Sequence, residues 1–550
     1  MSIIKDFTND LKKEFGGYNA KTFSSDLMAG LTVTAVALPL ALAFGVSSGA
    51  DAGSGLITAI IAGILMSVFA GGFYQISGPT GAMAAILLSL VAQHGMQGVF
   101  IAGVLAGIML VLAGIFHLGK LTAFIPMPVV TGFTSGIAVI IALGQVDNLF
   151  GVSSSGETTI EKILSYQEFG FSPNYTTLLI GVCVALFIIF FPKKIGAIVP
   201  PTLLAIILST AVSMIFKLDT ATVGTIPQTL LPETRLIFTD INLSELGSYI
   251  IPAASIAMLA MIESLLCGAS AGRMTGVKLK SDRELISQGI GNIVVPFFGG
   301  IPATAAIART SVAIKSGAKT RVTGIIHGVG LLISMFVLAP VMSEIPLSAL
   351  SGVLMVTAFR MNEWPVIKRF FKGKFKGAIA KFLVTMFATI IFDLTVAIVA
   401  GVALALFILV SKLSKLEISY DNVDMERLNQ HDPMLAKRYS NTIVAYITGA
   451  MIFSNTDLIE EIPSEIEGTT DTILFSMRGV SELDISSGQT MYDIIKELQK
   501  KGVDVMFCGV TDKVYRMMQR TKIVDLVNKE SFYWSAVRAL GTIHERNDVK

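Results

Sequence analysis

Two short stretches of this 550-residue sequence carry residue types that could do chemistry. The first is Ile76-Ser77-Gly78-Pro79-Thr80-Gly81-Ala82-Met83-Ala84-Ala85. The second is Gly299-Gly300-Ile301-Pro302-Ala303-Thr304-Ala305-Ala306-Ile307-Ala308-Arg309. Each has glycine, then proline, then a run of small residues and a threonine, in otherwise apolar surroundings. Proline at the first helical turn forfeits no hydrogen bond. Small residues let a ligand or a second backbone come close. A helix that starts in mid-membrane presents free N–H groups and the positive end of its dipole, and two such ends facing each other make an anion site. The plainer reading of either break is an ordinary Gly/Pro kink, common in membrane helices. Two similar breaks in equivalent places argue against it.

Two ionisable residues lie near these breaks. Arg309 reads as a turn or two into the second half-helix. An arginine at that depth costs about 2.5–3.5 kcal/mol on insertion scales, so it needs a reason to be there. It either attracts the anion or pairs with a carboxylate on a neighbouring segment. Glu263 is the only acid well inside its own apolar segment. It reads as a coupling site, either a proton acceptor or part of a cation site. The competing reading makes it a permanent partner for Arg309. A lone carboxylate at mid-membrane depth is expensive when ionised and cheaper when protonated. Phe44 follows Pro39 in the first apolar segment and either lines a pocket beside the half-helices or packs against lipid or core. Asp393 reads as a helix cap at the outer surface. His94, His117 and His327 are scattered and receive no role.

These groups need a scaffold, and the composition says which kind. Hydrophobic residues make up 53% of the chain, charged residues only 15%, and the mean hydropathy is +0.70. A soluble domain carries far more charge. Cys183, Cys267 and Cys508 are too few and too scattered for a disulfide framework or a zinc site. A net charge of +2 gives no nucleic-acid footprint. No Gly-x-x-x-x-Gly-Lys-Ser/Thr loop is present, which disfavours an ATP-driven pump. The amphipathic stretch Met1 to Lys21 lacks the features of a signal peptide.

The sequence therefore predicts a polytopic α-helical membrane protein. About fourteen apolar segments begin near Asp26, Ser54, Pro79, Gly98, Leu121, Tyr175, Val199, Ile250, Leu285, Pro302, Val322, Pro346, Gly377 and Leu394. The two breaks fall in the third and tenth. They are equivalent if the chain is two halves of seven, and seven being odd, the halves have opposite topology. Basic residues such as Lys193, Arg273, Lys280, Arg283, Lys319, Arg321 and Lys372 fall in alternate loops, and the other loops are acidic. The positive-inside rule then puts both termini in the cytoplasm. The expected organisation is a cytoplasmic segment 1–25, a transport domain 26–411, a linker 412–440 and a small cytoplasmic α/β domain 441–550. The last rests on strand patterns at 442–447, 472–477 and 503–508, alternating with helices at 457–467, 490–501 and 512–520. That order implies parallel pairing.

Nearly the whole chain resembles the sulfate permease family. Ala29-Gly30-Leu31-Thr32 through Leu38-Pro39-Leu40-Ala41-Leu42-Ala43-Phe44 is similar to the family's opening motif. Ser77-Gly78-Pro79-Thr80-Gly81 is similar to its third segment. Arg309-Thr310-Ser311 with Ser316-Gly317-Ala318-Lys319-Thr320 is similar to the tenth and the loop after it. Asp393-Leu394-Thr395 with Ile398 and Gly401 resembles the closing motif, and the tail resembles a STAS domain. The resemblance implies a seven-plus-seven inverted repeat divided into core and gate domains, elevator-type alternating access, a homodimer and a cell-membrane location. It implies an anion site at Phe44, Thr80, Gly81, Ala82, Ala306, Ile307, Ala308 and Arg309, with no cofactor and no metal. Glu263 falls where sodium-coupled bicarbonate members place an aspartate. Glutamate there, Cys267 four residues on, and Ile307 in place of a hydroxyl residue favour a proton over sodium as the coupling ion. Asp484-Ile485-Ser486-Ser487-Gly488 is an imperfect match to the STAS signature loop, and it reads as a polar helix cap before a phosphorylation site.

The expected function is secondary active transport of a small inorganic or carboxylate anion, of the sulfate, bicarbonate or dicarboxylate class, coupled to protons. The alternatives are a sodium-coupled bicarbonate symporter, a nucleobase symporter, against which the STAS-like tail argues, and an anion channel or sensor signalling through that tail. The chain is not expected to be an enzyme.

Overall fold

The computed structural model describes residues 2–120, 125–155, 159–196, 199–237, 239, 246–392, 394–422, 441–466 and 468–547. The described residues form two compact units, Met1–Leu404 and Ala405–Lys550.

The first unit is helical. It opens with α1 (Ser2–Phe15), followed by α2 (Ala20–Ser47), α3 (Ala52–Phe69) and α4 (Gly81–Ile115). Then come α5 (Met127–Gly144), α6 (Val146–Phe150), α7 (Thr159–Phe169), α8 (Tyr175–Phe190), α9 (Lys193–Gly196) and α10 (Pro201–Phe216). The second half holds α11 (Leu246–Thr275), α12 (Ser281–Val294), α13 (Ile307–Lys315), α14 (Val322–Met342), α15 (Leu347–Met361), α16 (Trp364–Lys372) and α17 (Lys376–Ile391). The final helix, α18 (Leu394–Leu413), runs on into the second unit. Helix α4 supplies two spans, because Gly95 interrupts it with φ 64°, a left-handed conformation that costs glycine little. Counting α4 twice and leaving out α1, α6, α7, α9 and α16 gives fourteen spans. Among the described residues, six helices are long and apolar enough to cross a membrane by length and composition alone.

The inverted repeat is visible in the packing. Span n of the first half corresponds to span n + 7 of the second. Helix α4 packs on α12, and the related pair α3 and α14 also pack. Helix α5 packs on α17, and the related pair α8 and α15 pack in turn. Glycine makes several of these contacts backbone-close. A Cβ on Gly289 would lie 2.6 Å from the Gly107 carbonyl, one on Gly352 2.4 Å from the Gly181 carbonyl, and one on Gly132 2.4 Å from the Phe382 carbonyl. Membrane helices associate through such small-residue crossings, since lipid provides no hydrophobic drive between them. The pairings sort the spans into a core (α2–α4, α11–α14) and a gate (α5, α8, α10, α15, α17), with Gly401 of α18 packed against Thr385 of α17 and Val129 of α5.

Between the halves lies the feature that positions the site. Ser77–Gly78 (β1) pairs antiparallel with Thr304–Ala305 (β2), Ser77 opposite Ala305 and Gly78 opposite Thr304. The sequence places Pro79 and Pro302 in the first turns of half-helices. The structure corrects this. Pro79 precedes Thr80, the residue that caps α4, and Pro302 precedes β2. The segments before the half-helices are extended and satisfy one another's backbone groups, which is why the helices start later.

In the second unit a five-stranded sheet has the order β3 (Glu417–Asn422), β4 (Thr442–Met451), β5 (Thr472–Leu483), β6 (Asp504–Cys508), β7 (Phe532–Tyr533). Strands β4 to β7 are parallel as expected, and β3 is an antiparallel edge to β4. Residues 417–422 read as linker from their charge, yet they form this edge strand; the rest of that stretch, 423–440, lies outside the described residues, as does Asp393. Helices α19 (Thr456–Glu460), α20 (Ile485–Lys500), α21 (Asp512–Arg520), α22 (Ile523–Val527) and α23 (Ala536–Asn547) complete the unit. The side chain of Asp484 caps α20 by accepting from the Ser487 N–H at 2.8 Å. Ser487 is fully buried and Ser486 exposed, so the loop is built as a cap.

The crossing of α4 and α12 gives a stability prediction. Gly289→Ala puts a methyl against backbone on the facing helix and should cost about 1–3 kcal/mol as overpacking, read as a lower Tm of the purified protein. Gly247→Ala, where a Cβ meets nothing within 4 Å, should leave Tm unchanged.

Candidate functional site

The β1–β2 crossing holds only four residues inside an apolar bundle, so its remaining polar groups need partners. Side chains of the surrounding helices supply them. Asn292 of α12 takes both sides of one residue, accepting from the Ala303 N–H at 2.8 Å and donating to its carbonyl at 2.9 Å. Thr58 of α3 accepts from Ile301 N–H at 2.7 Å. Ser264 of α11 bonds Thr304 Oγ1 at 2.8 Å, and Gln288 of α12 donates to Ser77 Oγ at 2.9 Å. Thr310 accepts from the Ile76 N–H at 3.1 Å, and Cys267 donates to the same hydroxyl at 3.3 Å.

Helix α4 starts on one side of this crossing. Thr80 is its N-cap, and its hydroxyl accepts from the Met83 N–H at 3.3 Å. The same hydroxyl donates to Glu263 Oε2 at 2.9 Å. One side chain thus joins the start of span three to the carboxylate of span eight. Gly81 and Ala82 follow, and the first N–H groups of a helix have no partner within it. Gly81 lies under the ring of Phe44: a Cβ there would sit 3.1 Å from Phe44 Cε1 and 2.5 Å from Ile141 Cδ1. Phe44 belongs to the core and Ile141 to α5 of the gate, so this helix start lies at the boundary between them.

Helix α13 starts on the other side. Its N-cap, Ala306, has no side chain to cap with. The Ala306 N–H donates to Ile76 O at 2.9 Å, which takes that group out of the expected donor set. Ile307 is 48% exposed and Ala308 is exposed too, so the first turn of α13 opens onto free space. Arg309 is the third residue of α13, within its first turn, not one or two turns in. The helix is shorter than expected because β2 occupies the residues before it.

Arg309 turns away from the opening. It is 2% exposed and donates through Nη2 to Pro79 O at 2.7 Å, while Nη1 has no hydrogen-bond partner. Among the described residues it forms no ion pair, so the permanent pairing with Glu263 is not what the structure shows. The guanidinium sits against Gly78, where a Cβ would come within 2.5 Å of Nη1; this position needs glycine for that close approach. Its guanidinium thus lies behind the crossing, bonded to the Pro79 carbonyl, and not in the opening.

Sequence reasoning missed the residues that hold the crossing. Glu284, Gln288 and Asn292 form an i, i+4, i+8 stripe on α12, a polar face on a membrane helix that spacing alone could have exposed. Gln288 bonds Glu284 at 2.8 Å, and Glu284 accepts from the Gly71 N–H at 2.8 Å. His327, to which the sequence assigns no role, is fully buried against Gly63, with neither ring nitrogen hydrogen-bonded.

Comparison with known proteins matches this architecture. Residues 23–385 fit the sulfate permease family and residues 433–536 the STAS domain. YvdB of Bacillus subtilis, for which sulfate transport is a proposed role, is 35% identical over 94% of this chain and 97% of its own. The bicarbonate transporter BicA of Picosynechococcus is 28% identical over 94% of each chain. The solved transmembrane domain of a cyanobacterial BicA superposes with a TM-score of 0.61 at 30% identity, over 70% of this chain and 98% of that one. SLC26A9 superposes with a TM-score of 0.81 over 97% of this chain and 92% of its own, and at 16% identity it shows the shared fold. Matched along most of its transmembrane region and again at its C-terminal α/β unit, this membrane-embedded chain belongs to the sulfate permease family and carries a STAS domain.

Proposed function

We propose that this protein is a secondary active transporter of a small anion, of the sulfate or bicarbonate class, coupled to protons. The observation that carries the reading is the hydrogen bond from Thr80 to Glu263 at the start of α4. The anion sits between the starts of α4 and α13, held by N–H groups of Gly81, Ala82, Ile307 and Ala308 and covered by Phe44. Arg309 adds a positive field from behind. The relatives point to the substrate class, since BicA is a bicarbonate transporter and sulfate is proposed for YvdB.

Coupling follows from hydrogen-bond direction. While Glu263 is ionised, it can only accept, and the Thr80 hydroxyl is turned toward it. Once protonated, Glu263 no longer needs that donor, and the Thr80 O–H can turn to the anion. Loss of the carboxylate charge also removes a repulsion from the site. Proton and anion therefore favour each other's binding, and by linkage the effect is reciprocal. Thr80 is the one partner that Glu263 has among the described hydrogen bonds, Cys267 is turned to Thr310, and Ile307 offers no oxygen. That set supports a proton over sodium.

Movement of the core against the gate gives alternating access. The helix starts belong to the core, Ile141 belongs to the gate, and Gly81 leaves the boundary smooth. Both termini are cytoplasmic in this reading. Its support is the gathering of Lys280, Arg283, Lys319 and Arg321 at the end of the bundle where α1 lies, as the positive-inside rule requires.

Uptake into proteoliposomes tests the coupling. The wild type should concentrate the anion when the outside is acidic. Glu263→Gln resembles the protonated state; it should keep anion binding but lose both pH dependence and concentrative uptake. Wild-type uptake that follows a sodium gradient and ignores a proton gradient would overturn the assignment. Arg309→Gln tests the field. It should weaken sulfate binding more than chloride binding, because the Coulomb energy scales with ligand charge. Equal losses for the two anions would assign Arg309 a purely structural role.

A further inference from the structure

A second site lies at the other end of the first span, away from the crossing. Helix α1 is strapped across this end of the core. Asp10 pairs with Lys280 and Arg283, and Glu14 with Arg321. Burial works against ionisation of Asp10, but hydrogen bonds and charge from Lys280 and Arg283 outweigh it and hold the carboxyl below its ordinary range. Phe7 lies under the guanidinium groups of both Arg283 and Arg321. Asp26 of α2 accepts from the N–H groups of Lys319 at 2.7 Å and Thr320 at 3.0 Å, and from the hydroxyls of Thr320 and Thr323. Ser25 donates to Gly317 O at 2.7 Å.

Between the end of α1, the start of α2 and this tied loop is a pocket of about 470 Å³. Lys13, Lys21 and Lys319 line it, from three separate places in the chain. None of the three makes an ion pair among the described residues. The acids nearby are already committed: Glu14 to Arg321, Asp10 to Lys280 and Arg283, and Asp26 to the loop. Tyr18 also lines the pocket, with its buried hydroxyl turned inward beside Asp26 and Thr320. The pocket thus has three lysines without ion-pair partners among the described residues, on a wall fixed by hydrogen bonds.

Its surroundings identify the ligand. Lys21, Ser25 and Met28 fall on one face of α2, at i, i+4 and i+7. Met28 is 61% exposed, and Leu31, three residues further on, is exposed next to it. The charged pocket therefore continues directly into apolar surface at the start of a membrane span. We propose that this pocket binds the phosphate headgroup of an anionic phospholipid, with an acyl chain lying along Met28 and Leu31. A bound headgroup would bridge α1, α2 and the α13–α14 loop, and so stiffen the end of the core that carries Arg309's helix. Clustered lysines beside a membrane attract anionic lipid in this way.

Thermal unfolding of the full-length protein in detergent, with added lipid, tests the proposal. Phosphatidylglycerol should raise the Tm of the wild type more than phosphatidylcholine does. Inorganic phosphate at the same concentration should give no such rise. The triple variant Lys13→Gln, Lys21→Gln, Lys319→Gln should keep the wild-type Tm in phosphatidylcholine and lose most of the phosphatidylglycerol increment. Lys319→Gln alone should lose part of it, which keeps the test usable if the triple variant folds poorly. A full increment in these variants would overturn the site. An equal rise with inorganic phosphate would replace the lipid by a soluble phosphate ligand.

Discussion

The antiparallel crossing of Ser77–Gly78 with Thr304–Ala305 is the constraint on which the rest of this molecule depends. Non-helical backbone at membrane depth survives only where every polar group is satisfied. Four residues of sheet cannot do that alone. Asn292, Thr58, Ser264 and Thr310 take up backbone groups in and beside the crossing, and Gln288 holds the Ser77 hydroxyl. An unsatisfied buried amide costs about 1–3 kcal/mol, so several would unmake the crossing. The crossing in turn lets two helices begin inside the bundle, and those two beginnings are the candidate anion site.

Much of this was legible in the sequence. The two Gly-Pro breaks, their equivalence at the third and tenth spans, and the seven-plus-seven arrangement followed from spacing. So did the strands at 442, 472 and 504. What spacing could not show was conformation around the prolines. Pro79 and Pro302 fit a helix start equally well as an extended segment, and the choice of the second depends on pairing between residues more than 200 positions apart. The direction of Arg309 was hidden for the same reason. Only the fold shows that its guanidinium turns back to the Pro79 carbonyl and leaves Ile307 and Ala308 at the opening. The edge strand at 417–422 was missed because its charge resembles a linker, and an edge strand tolerates charge on its open side.

The two halves use the same packing but divide the chemistry. The first contributes Thr80, which caps α4 and reaches Glu263. The second contributes Ala306, which cannot cap α13, and Arg309, which supplies charge. One helix start is thus linked to a titratable group, and the other is left open beside a fixed cation.

The central claim is that the anion binds to backbone N–H groups at the two helix starts. A density map of the protein at saturating concentration of the anion that best competes for uptake tests it most directly. The account predicts new density within hydrogen-bonding distance of the N–H groups of Gly81, Ala82, Ile307 and Ala308, with Arg309 still bonded to Pro79. Density on the Arg309 guanidinium swung away from Pro79, or at a place remote from both helix starts, would contradict it.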